Sequence, residues 1–385
     1  MNNSKTGMAS RVLGWFRATD GKHPEKTRFH VIRENVQWIV ISIVIALGIR
    51  YFVLEAFKIP TGSMAPTLVG VHKDVVCPNC GWGFAKDHHG SGATCPNCFF
   101  SINAHKIASH GGNRIFVSKL TYKFATPERW DVMVFKYPLA DITCKDCGYV
   151  MFDTRWVEGL RCEKCGSTRL KYKRKNYIKR LVGLSDEEIL IKNGDIFING
   201  TVAKKPPDTQ NDLWIPVYNN AYTPKKIIVP AWNFDGQYWN NDKDSLLLDV
   251  SQEGGKTSFA TFTRKILDNY PYNNMSGSNV VGDLRLKTSL TIQRGSGGVF
   301  LVIERDQDVF QAYIPVQGTG EKCSLKRSGE TLAEADAHLL PGRRHEVEFS
   351  HVDGTLWVML DEKQILSYDY GSDNQDYGKR LSDSG

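Results

Sequence analysis

One long apolar run constrains the fold of this chain more than any other feature. It covers residues 36–54, VQWIVISIVIALGIRYFVL, and its polar residues Gln37 and Arg50 lie near the ends, where they can reach the interface. As a helix rising about 1.5 Å per residue, the run spans roughly 28 Å, about the thickness of bilayer hydrocarbon. A cleaved signal peptide would carry a shorter run nearer the N-terminus. We therefore predict one uncleaved transmembrane helix, with a buried helix of a soluble domain as the alternative.

The flank before this run sets the predicted orientation. Residues 1–35 contain seven lysines and arginines against three carboxylates. Because such an excess marks the cytoplasmic side, we predict a basic cytoplasmic tail at 1–35 and an extracytoplasmic chain beyond about residue 55, in the inner (plasma) membrane. The formal charge of the whole chain, +7, is modest and does not by itself indicate nucleic acid. The lipid bilayer is thus an expected partner, and nucleic acid is not.

Eight of the nine cysteines form two groups with the same spacing, C-x2-C-x14-C-x2-C, at 77–98 and 144–165. Two C-x-x-C knuckles can direct four thiolates at one tetrahedral ion, so the repeated spacing predicts two zinc ribbons. The ligands would be Cys77, Cys80, Cys95 and Cys98 in the first, and Cys144, Cys147, Cys162 and Cys165 in the second. Disulfides are the alternative outside the cytoplasm, although C-x-x-C bridges are usually redox-active rather than structural. Cys323 stands alone and is expected to be a small buried residue.

The stretch IPTGSMAPTL (59–68) follows the apolar run closely and contains the first candidate for chemistry. A serine nucleophile such as Ser63 needs a base, and none of the ten histidines lies in a recognisable triad context. In NYIKRLVGL (176–184), strand alternation puts Lys179 and Arg180 on opposite faces, so one of the two cations can turn inward. A lysine base must be neutral, and burial can lower its ordinary pKa of about 10.4 by up to ~3 units. Taken alone, the two residues could equally be a turn serine and an exposed strand lysine.

Four stretches together resemble the bacterial type I signal peptidases. IPTGSMAPTL (59–68), GGNRIFVSKLTYKF (111–124), RWDVMVFKYP (129–138) and NYIKRLVGL (176–184) follow the membrane helix in the family's order. The resemblance implies a dyad in which Ser63 attacks the scissile carbonyl, while Lys179 takes the hydroxyl proton and returns it to the leaving amine. It also implies an oxyanion hole made by the Ser63 backbone N–H and the Thr61 hydroxyl, and no cofactor for catalysis. Gly62 between them would permit a backbone geometry closed to a side chain.

The resemblance further implies a shallow apolar cleft for small side chains. The residues that match the family's substrate-binding positions are Ile59, Pro60, Met64, Leu68, Tyr177 and Ile178. The Ala-x-Ala end of a secretory signal peptide would bind there as an added strand. The expected partners are therefore secretory preproteins, whose own apolar segments would hold the cleavage site at the membrane surface.

Three departures from the family pattern bear on activity. The Gly-Asp before the connecting strand is Gly112-Asn113, and the Pro-Gly-Asp after the lysine is Ser-Asp-Glu at 185–187. We interpret both as loop variation. The C-terminal Gly-Asp-Asn…Ser-x-Asp-Ser-Arg element, which supports the lysine in the family, is not found. The stretch GSDNQDYGKRLSDSG (371–385) has the wrong spacing, and no arginine follows its final Ser-Asp-Ser. We expect that the natural chain continues beyond Gly385 or that the element was lost with activity.

Past residue 207 the character of the sequence changes. Residues 208–245 are rich in Trp, Tyr and Asn and have little helical periodicity. Short alternating strands follow at 284–292, 298–304, 309–314 and 345–361, the last a hairpin around Asp353-Gly354. Strands repeated at this spacing predict a β-sandwich, and they resemble the concanavalin/laminin-G-like jelly rolls. Its exposed aromatic residues could bind a glycan or a protein, although a passive insertion is the simpler interpretation.

We therefore predict a mainly β chain with four regions. These are the tail at 1–35, the transmembrane helix at 36–54, an antiparallel, barrel-like signal peptidase domain at 55–235 interrupted by the two ribbons, and a sandwich insertion at 236–385. The predicted function is signal peptide removal by a membrane-bound serine endopeptidase. The alternatives are an inactive relative that serves as a membrane-anchored binding scaffold, and a sugar-binding surface protein with a vestigial peptidase segment.

Overall fold

The computed structural model describes residues 28–236, 238–242, 245–249, 256–305 and 307–371. Most of the predicted cytoplasmic tail, and residues 372–385 of the C-terminal stretch compared with the family element, lie outside these ranges. The chain is mainly β, as predicted, and the paired strands run antiparallel. Its described residues divide into two compact units, one made of 28–56 and 116–125 and the other of the remaining described residues.

The first unit contains the apolar helix. Helix α1, Arg28–Gly48, continues as a π-helical turn at Ile49–Val53, and the short helix α2 covers Thr121–Phe124. The segment Ile32–Val53, which includes most of α1 and the π-helical turn, is long and apolar enough to cross a membrane, by length and composition. The apolar window is not buried in the protein, unlike the core helix of a soluble domain. The predicted bounds, 36–54, differ from this span at both ends, because it begins at Ile32 and because Leu54 already begins the first strand.

The first cysteine group lies in a segment of the chain with six short strands. Strands β1 to β6 are Leu54–Lys58, His72–Val76, Gly83–Asp87, Gly92–Thr94, Ser101–Asn103 and Arg114–Ser118. They form three two-stranded sheets, β1 with β6, β2 with β3, and β4 with β5. Val75, Ala93 and Ala104 make a small apolar core beside the cysteines. The first ribbon is therefore a folded module of two hairpins.

A long three-stranded sheet carries the second cysteine group. Strands β7, β8 and β9 are Val132–Cys144, Val150–Thr154 and Leu170–Arg180, in the order β8-β7-β9. Strand β9 is thus an edge strand. Its register places Lys179 opposite Met133 at one end of the ladder and Leu170 opposite Cys144 at the other. The candidate base and the second ribbon therefore lie at opposite ends of one pair of strands.

The middle of the chain consists of short elements. Strands β10, β11 and β12 are Ile189–Lys192, Asp195–Ile198 and Thr201–Val202, and they form one meander. Helix α3, Pro207–Leu213, follows. Strands β13 to β16 are Trp232–Phe234, Trp239–Asp242, Ser245–Leu248 and Ala260–Phe262, with β13 paired to β16 and β14 to β15. A 3₁₀ helix at Pro271–Asn273 precedes the last region.

The last region is the predicted β-sandwich. Strands β17 to β24 are Leu284–Thr291, Gly298–Arg305, Asp308–Pro315, Cys323–Arg327, Glu330–Ala335, Arg344–Val352, Thr355–Leu360 and Lys363–Asp369. They form two four-stranded sheets, β17-β22-β23-β24 and β18-β19-β20-β21, around one apolar core that includes Phe310 and Phe349. The predicted hairpin is confirmed, since Asp353 and Gly354 have φ values of 50° and 69° between β22 and β23. Cys323 is buried in this core, as expected.

A buried ion network joins the sandwich to the meander. Arg305 pairs with Asp195 at 2.9 Å, and Lys205 pairs with Asp283 at 3.7 Å and with Asp353. The three carboxylates are close enough to surround a cation, but these two side chains already supply positive charge. We therefore interpret the network as structural. Burial raises the pKa of the Asp283 carboxyl to about 6, with the attraction of Lys205 acting in the opposite direction.

The raised pKa of Asp283 predicts that the stability of the fold depends on pH. Between the ordinary value of 3.8 and about 6 the folded chain holds a proton that the unfolded chain has lost, so Asp283 destabilises the fold progressively as the pH rises through this window. The variant Asp283→Asn cannot ionise, so its melting temperature relative to the parent should be higher at neutral pH than near pH ~4.5. Thermal unfolding in detergent measures this. Asp336→Asn, at a side chain 86% exposed, is the control, and a pH-independent difference for Asp283→Asn would contradict the prediction.

Candidate active site

Ser63 lies on a compact loop, here called the serine loop, residues 59–71. Three backbone hydrogen bonds cross it: Val71 N–H to Pro60 O at 3.3 Å, Ala65 N–H to Gly62 O at 2.9 Å, and Leu68 N–H to Met64 O at 2.9 Å. Ser63 and Thr61 are exposed, whereas Met64 is buried. The loop therefore presents the candidate nucleophile and the candidate oxyanion donor to solvent on a backbone that its own hydrogen bonds stabilise.

Asn113 holds the serine loop from outside. Its side-chain oxygen accepts a hydrogen bond from Val69 N–H at 2.5 Å, and its backbone N–H donates to Val69 O at 2.9 Å. Its carbonyl accepts from Ile59 N–H at 2.9 Å. A Cβ on the preceding Gly112 would lie 2.0 Å from Ile59 O, so only glycine fits there. The departure at Gly112-Asn113 is thus part of the support of the serine loop, and our interpretation of it as mere loop variation is wrong.

The second departure from the family pattern, Ser-Asp-Glu at 185–187, also makes a contact that supports the fold. Glu187 forms a bidentate ion pair with Arg129 and accepts a hydrogen bond from Leu184 N–H at 2.7 Å. The Arg129 guanidinium, followed by the Leu184 N–H, holds the pKa of the Glu187 carboxyl below its usual range. Because Arg129 also donates to Val182 O at 2.5 Å, this pair supports the turn just after strand β9. The Ser-Asp-Glu replacement therefore supplies, through Glu187, an ion pair that stabilises this turn.

Strand β9 turns Arg180 inward and leaves Lys179 exposed. The Arg180 side chain is 13% exposed and donates hydrogen bonds to Trp130 O at 2.9 Å and to Thr67 Oγ1 at 3.3 Å. Lys179, on the other face, is exposed. One of the two cations does turn inward, as the alternation allowed, but it is the arginine. The burial that a neutral lysine base requires is therefore not provided by this conformation.

The structure brings the serine loop to the end of β9 without joining the two candidate catalytic groups. Thr67, four residues after Ser63, contacts Arg180, the neighbour of Lys179. Within the described residues 28–236, no hydrogen bond links Ser63 to Lys179. Catalytic hydrogen bonds are often formed only with substrate present, so this geometry leaves the dyad open as a hypothesis.

The residues assigned to a substrate cleft have different environments. Ile59 and Met64 are 3% and 8% exposed, so they fill the interior beneath the serine loop. Leu68, Tyr177 and Ile178 are half-buried, and Pro60 is exposed. The Tyr177 ring stacks on Tyr137 with centroids 4.3 Å apart. Only the half-buried and exposed members of the set could contact a bound peptide without rearrangement.

A residue that the sequence did not suggest touches the serine loop. Gly62 does not have a positive φ; instead, a Cβ built on it would lie 2.0 Å from Cε1 of Tyr272. Glycine is therefore required by the close approach of an aromatic ring rather than by a special backbone conformation. Tyr272 lies far along the chain, and no local pattern could have pointed to it.

The two cysteine groups form two clusters of four free thiols. Sγ atoms of the paired knuckles are 3.6 Å apart in Cys77–Cys98 and Cys80–Cys95, and 3.5 and 3.6 Å apart in Cys144–Cys165 and Cys147–Cys162. A disulfide would need about 2.05 Å. Sulfur atoms around a tetrahedral zinc ion, at Zn–S distances of about 2.3 Å, lie roughly 3.8 Å apart. The sulfur positions in both clusters therefore fit a tetrahedral zinc ion, as the cysteine spacing predicted, and do not fit disulfides.

The two clusters have different surroundings. In the first, Asn79 donates to Cys98 Sγ at 3.4 Å and to Lys226 O at 2.8 Å, and Asn97 donates to Tyr222 O at 2.8 Å. These bonds tie the first cluster to the chain around residues 219–226. In the second cluster Cys165 is exposed. The first cluster is thus integrated into the fold, and the second lies at the surface.

The anchoring role of Asn113 generates a prediction about the serine loop. Asn113→Ala removes the acceptor for Val69 N–H and should speed hydrogen exchange in peptides covering 59–71, as expected for a loss of about 1–2 kcal/mol of local stability. Asn113→Asp keeps an acceptor oxygen and should behave like the parent. Asn103→Ala removes a comparable bond, to His105 N–H, elsewhere and should leave the loop unchanged. Hydrogen exchange is measured by mass spectrometry. If Asn113→Ala left the exchange of 59–71 as unchanged as the control does, Asn113 would not anchor the serine loop.

Comparison with known proteins finds a similarity that covers part of the chain. Residues 102–231, which include Lys179 but begin after Ser63, match the family described as signal peptidase, peptidase S26. The chain is 25% identical over 219 residues to a signal peptidase I of Leptolyngbya laminosa, covering 56% of this chain and 70% of that protein. It is 23% identical over 206 residues to a probable signal peptidase I-2 of Synechocystis sp., covering 54% of this chain and 61% of that protein. No solved structure matches. Over part of its length the chain is therefore similar to signal peptidases of the type I class.

Proposed function

We propose that this chain is a membrane-anchored endopeptidase that removes signal peptides from secreted preproteins, with Ser63 as nucleophile and Lys179 as base. One observation carries the proposal: the exposed Ser63 lies on a loop that contacts, through Thr67, the residue next to Lys179 on strand β9. The relatives named above support the same reaction class.

The edge position of β9 suggests how a substrate would bind. Strand β9 pairs with β7 on one side and forms an edge of its sheet, so an extended peptide can add to its other side with main-chain hydrogen bonds. Such a peptide would run past Tyr177, Ile178 and Lys179, where small side chains of an Ala-x-Ala sequence would fit. A bound peptide would also exclude water from Lys179 and thereby favour its neutral form. Substrate binding would in this way supply the burial that the free chain lacks.

The chemistry needs only groups of this chain and water. Lys179 Nζ takes the Ser63 hydroxyl proton as Oγ bonds to the scissile carbonyl carbon, and the developing oxyanion accepts hydrogen bonds from Ser63 N–H and Thr61 Oγ1. The C–N bond then breaks as Lys179 returns the proton to the amine, and a water molecule activated by Lys179 releases the acyl group from Ser63. One oxyanion donor typically contributes ~10²–10³ in rate.

The apolar helix would hold this reaction at the membrane. The window Ile32–Val53 has the length and composition of a membrane span, and the basic flank favours a cytoplasmic N-terminus with the peptidase on the other side. The substrate's own apolar segment would lie in the same bilayer, so its cleavage site would arrive at the surface where Ser63 is held.

We assign a structural zinc ion to each four-cysteine cluster. The donor sets Cys77, Cys80, Cys95 and Cys98, and Cys144, Cys147, Cys162 and Cys165, have the sulfur spacing that tetrahedral zinc requires. Bound zinc would supply cross-links that stabilise the hairpins of each ribbon.

A second candidate function is an inactive relative that acts as a membrane-anchored binding scaffold. The exposure of Lys179 favours it, because this conformation does not bury the lysine as the proposed mechanism requires. Proteolysis assays distinguish the two candidates directly.

The decisive test of the dyad is cleavage of an Ala-x-Ala preprotein by the detergent-solubilised chain. We expect cleavage after the second alanine, and a loss of about 10³-fold or more in Ser63→Ala and in Lys179→Ala. Lys173→Ala is the matched control, because Lys173 is an exposed lysine on the same strand.

The outcomes separate the candidates. Cleavage abolished in both dyad variants but retained in Lys173→Ala supports the proposed mechanism. Activity that survives Lys179→Ala would exclude Lys179 as the base, and a parent chain without any cleavage would favour the scaffold.

Metal content tests the cysteine clusters. We expect one zinc ion per cluster, two per chain, by elemental analysis of the purified protein. Cys98→Ser and Cys165→Ser should each lower the content by about one equivalent. Cys323→Ser, which changes a buried cysteine outside both clusters, should retain both ions. A metal-free parent whose thiols react with alkylating reagents only after reduction would instead show disulfides.

A further inference from the structure

A hairpin outside the family match reaches back to the serine loop. Residues 266–281, here called the connector hairpin, are closed by hydrogen bonds from Val281 N–H to Ile266 O at 3.0 Å and from Asp268 N–H to Asn279 O at 2.8 Å. The Asp268 carboxylate also accepts from the Asn279 backbone and side chain, each at 2.9 Å. The hairpin lies after residue 231, where the match to the peptidase family ends. It is therefore a feature of this chain beyond that match.

The tip of the connector hairpin packs against the serine loop. The 3₁₀ helix Pro271–Asn273 forms this tip, and Tyr272 within it is 6% exposed. The Tyr272 hydroxyl donates to Val71 O at 2.9 Å, across 201 residues of sequence. Its ring lies so close to Gly62 that a Cβ there would be 2.0, 2.5 and 2.7 Å from three ring carbons. One side chain thus contacts the loop both beside Ser63 and at its last residue.

The contact involves the backbone that would form the oxyanion hole. Gly62 lies between Thr61 and Ser63, whose hydroxyl and N–H are the proposed donors. Both residues are exposed, so the Tyr272 ring supports this backbone without covering the nucleophile. Displacement of catalytic groups by about 1 Å can reduce catalysis ~10²-fold, so a ring that limits the movement of this backbone can affect the rate.

We propose that Tyr272 is a positioning residue for the serine loop. Its ring limits the movement of Gly62, its hydroxyl holds Val71, and together they keep the oxyanion donors in one geometry. Since the loop would be catalytic only if the chain is the peptidase proposed above, the kinetic part of this inference rests on that function. The contact itself does not.

The first test is steady-state kinetics of the full chain on an Ala-x-Ala preprotein. Tyr272→Ala should lower kcat about 10²-fold and change KM little, because a misplaced oxyanion hole affects the transition state more than substrate binding. Tyr272→Phe keeps the ring and should stay within about fivefold of the parent. Tyr222→Ala, which removes an aromatic contact with Trp82 away from the loop, is the control and should match the parent.

A double variant separates positioning from general destabilisation. Gly62→Ala should lower kcat because its methyl group would collide with the Tyr272 ring. In Gly62→Ala combined with Tyr272→Ala the collision is absent, so the loss should be no greater than in Tyr272→Ala alone. If the loss of kcat in the double variant equalled the product of the two single losses, the proposal would be overturned. A rise in kcat/KM in Tyr272→Ala would overturn it too, since it would mean that the ring obstructs substrate.

Hydrogen exchange tests the contact even if the chain cleaves nothing. Peptides covering 59–71 should exchange faster in Tyr272→Ala than in the parent, with Tyr272→Phe in between and Tyr222→Ala unchanged. Faster exchange in a chain without activity would support the contact while the proposed function fails. Unchanged exchange in Tyr272→Ala would overturn the positioning role whatever the activity.

Discussion

The long antiparallel ladder between β7 and β9 is the framework on which the other parts of the candidate site depend. Backbone hydrogen bonds along this ladder set the register that places Lys179 opposite Met133 and the second cysteine cluster at the far end. Because successive side chains of a strand point to opposite faces, the same register turns Arg180 towards Thr67 of the serine loop. Strand pairing thus determines both where the candidate base lies and which residue of β9 contacts the serine loop.

The serine loop itself is held by side chains from distant parts of the sequence. Asn113 bonds to Val69, Arg180 bonds to Thr67, and Tyr272 contacts Gly62 and Val71. Among its apolar side chains Ile59 and Met64 are buried, whereas Leu68, Val69 and Val71 are only half-buried. Contacts from distant segments therefore help to fix its geometry, and the contact of Tyr272 comes from beyond the region that matches the peptidase family. The additional part of this chain is in this way connected to the peptidase-like part.

The features that could be predicted are those that short patterns encode. The apolar run, the repeated cysteine spacing and the Asp353-Gly354 hairpin were all read correctly as a helix, two four-thiol clusters and a turn in a β-sandwich. The strands β20, β21 and β24 were missed, because their short segments have no turn signal as strong as Asp-Gly. Asn113 and Glu187 were taken for loop variation, since a sequence does not show which backbone N–H or guanidinium a polar side chain meets.

The sequence by itself determined the local chemistry of this protein: an apolar span of membrane length, thiols spaced for tetrahedral ligation, and a serine and a lysine in a recognisable order. Periodicity and spacing carry the first two of these features because they depend only on near neighbours along the chain. The pairing of the serine with the lysine came from the resemblance to the type I signal peptidases. Only the tertiary structure decided that Arg180 rather than Lys179 turns inward, and that Gly62 is required by the ring of Tyr272. The physical reason is that burial and close approach depend on which distant segment packs against a given face, and alternation along a strand is the same whichever face is covered.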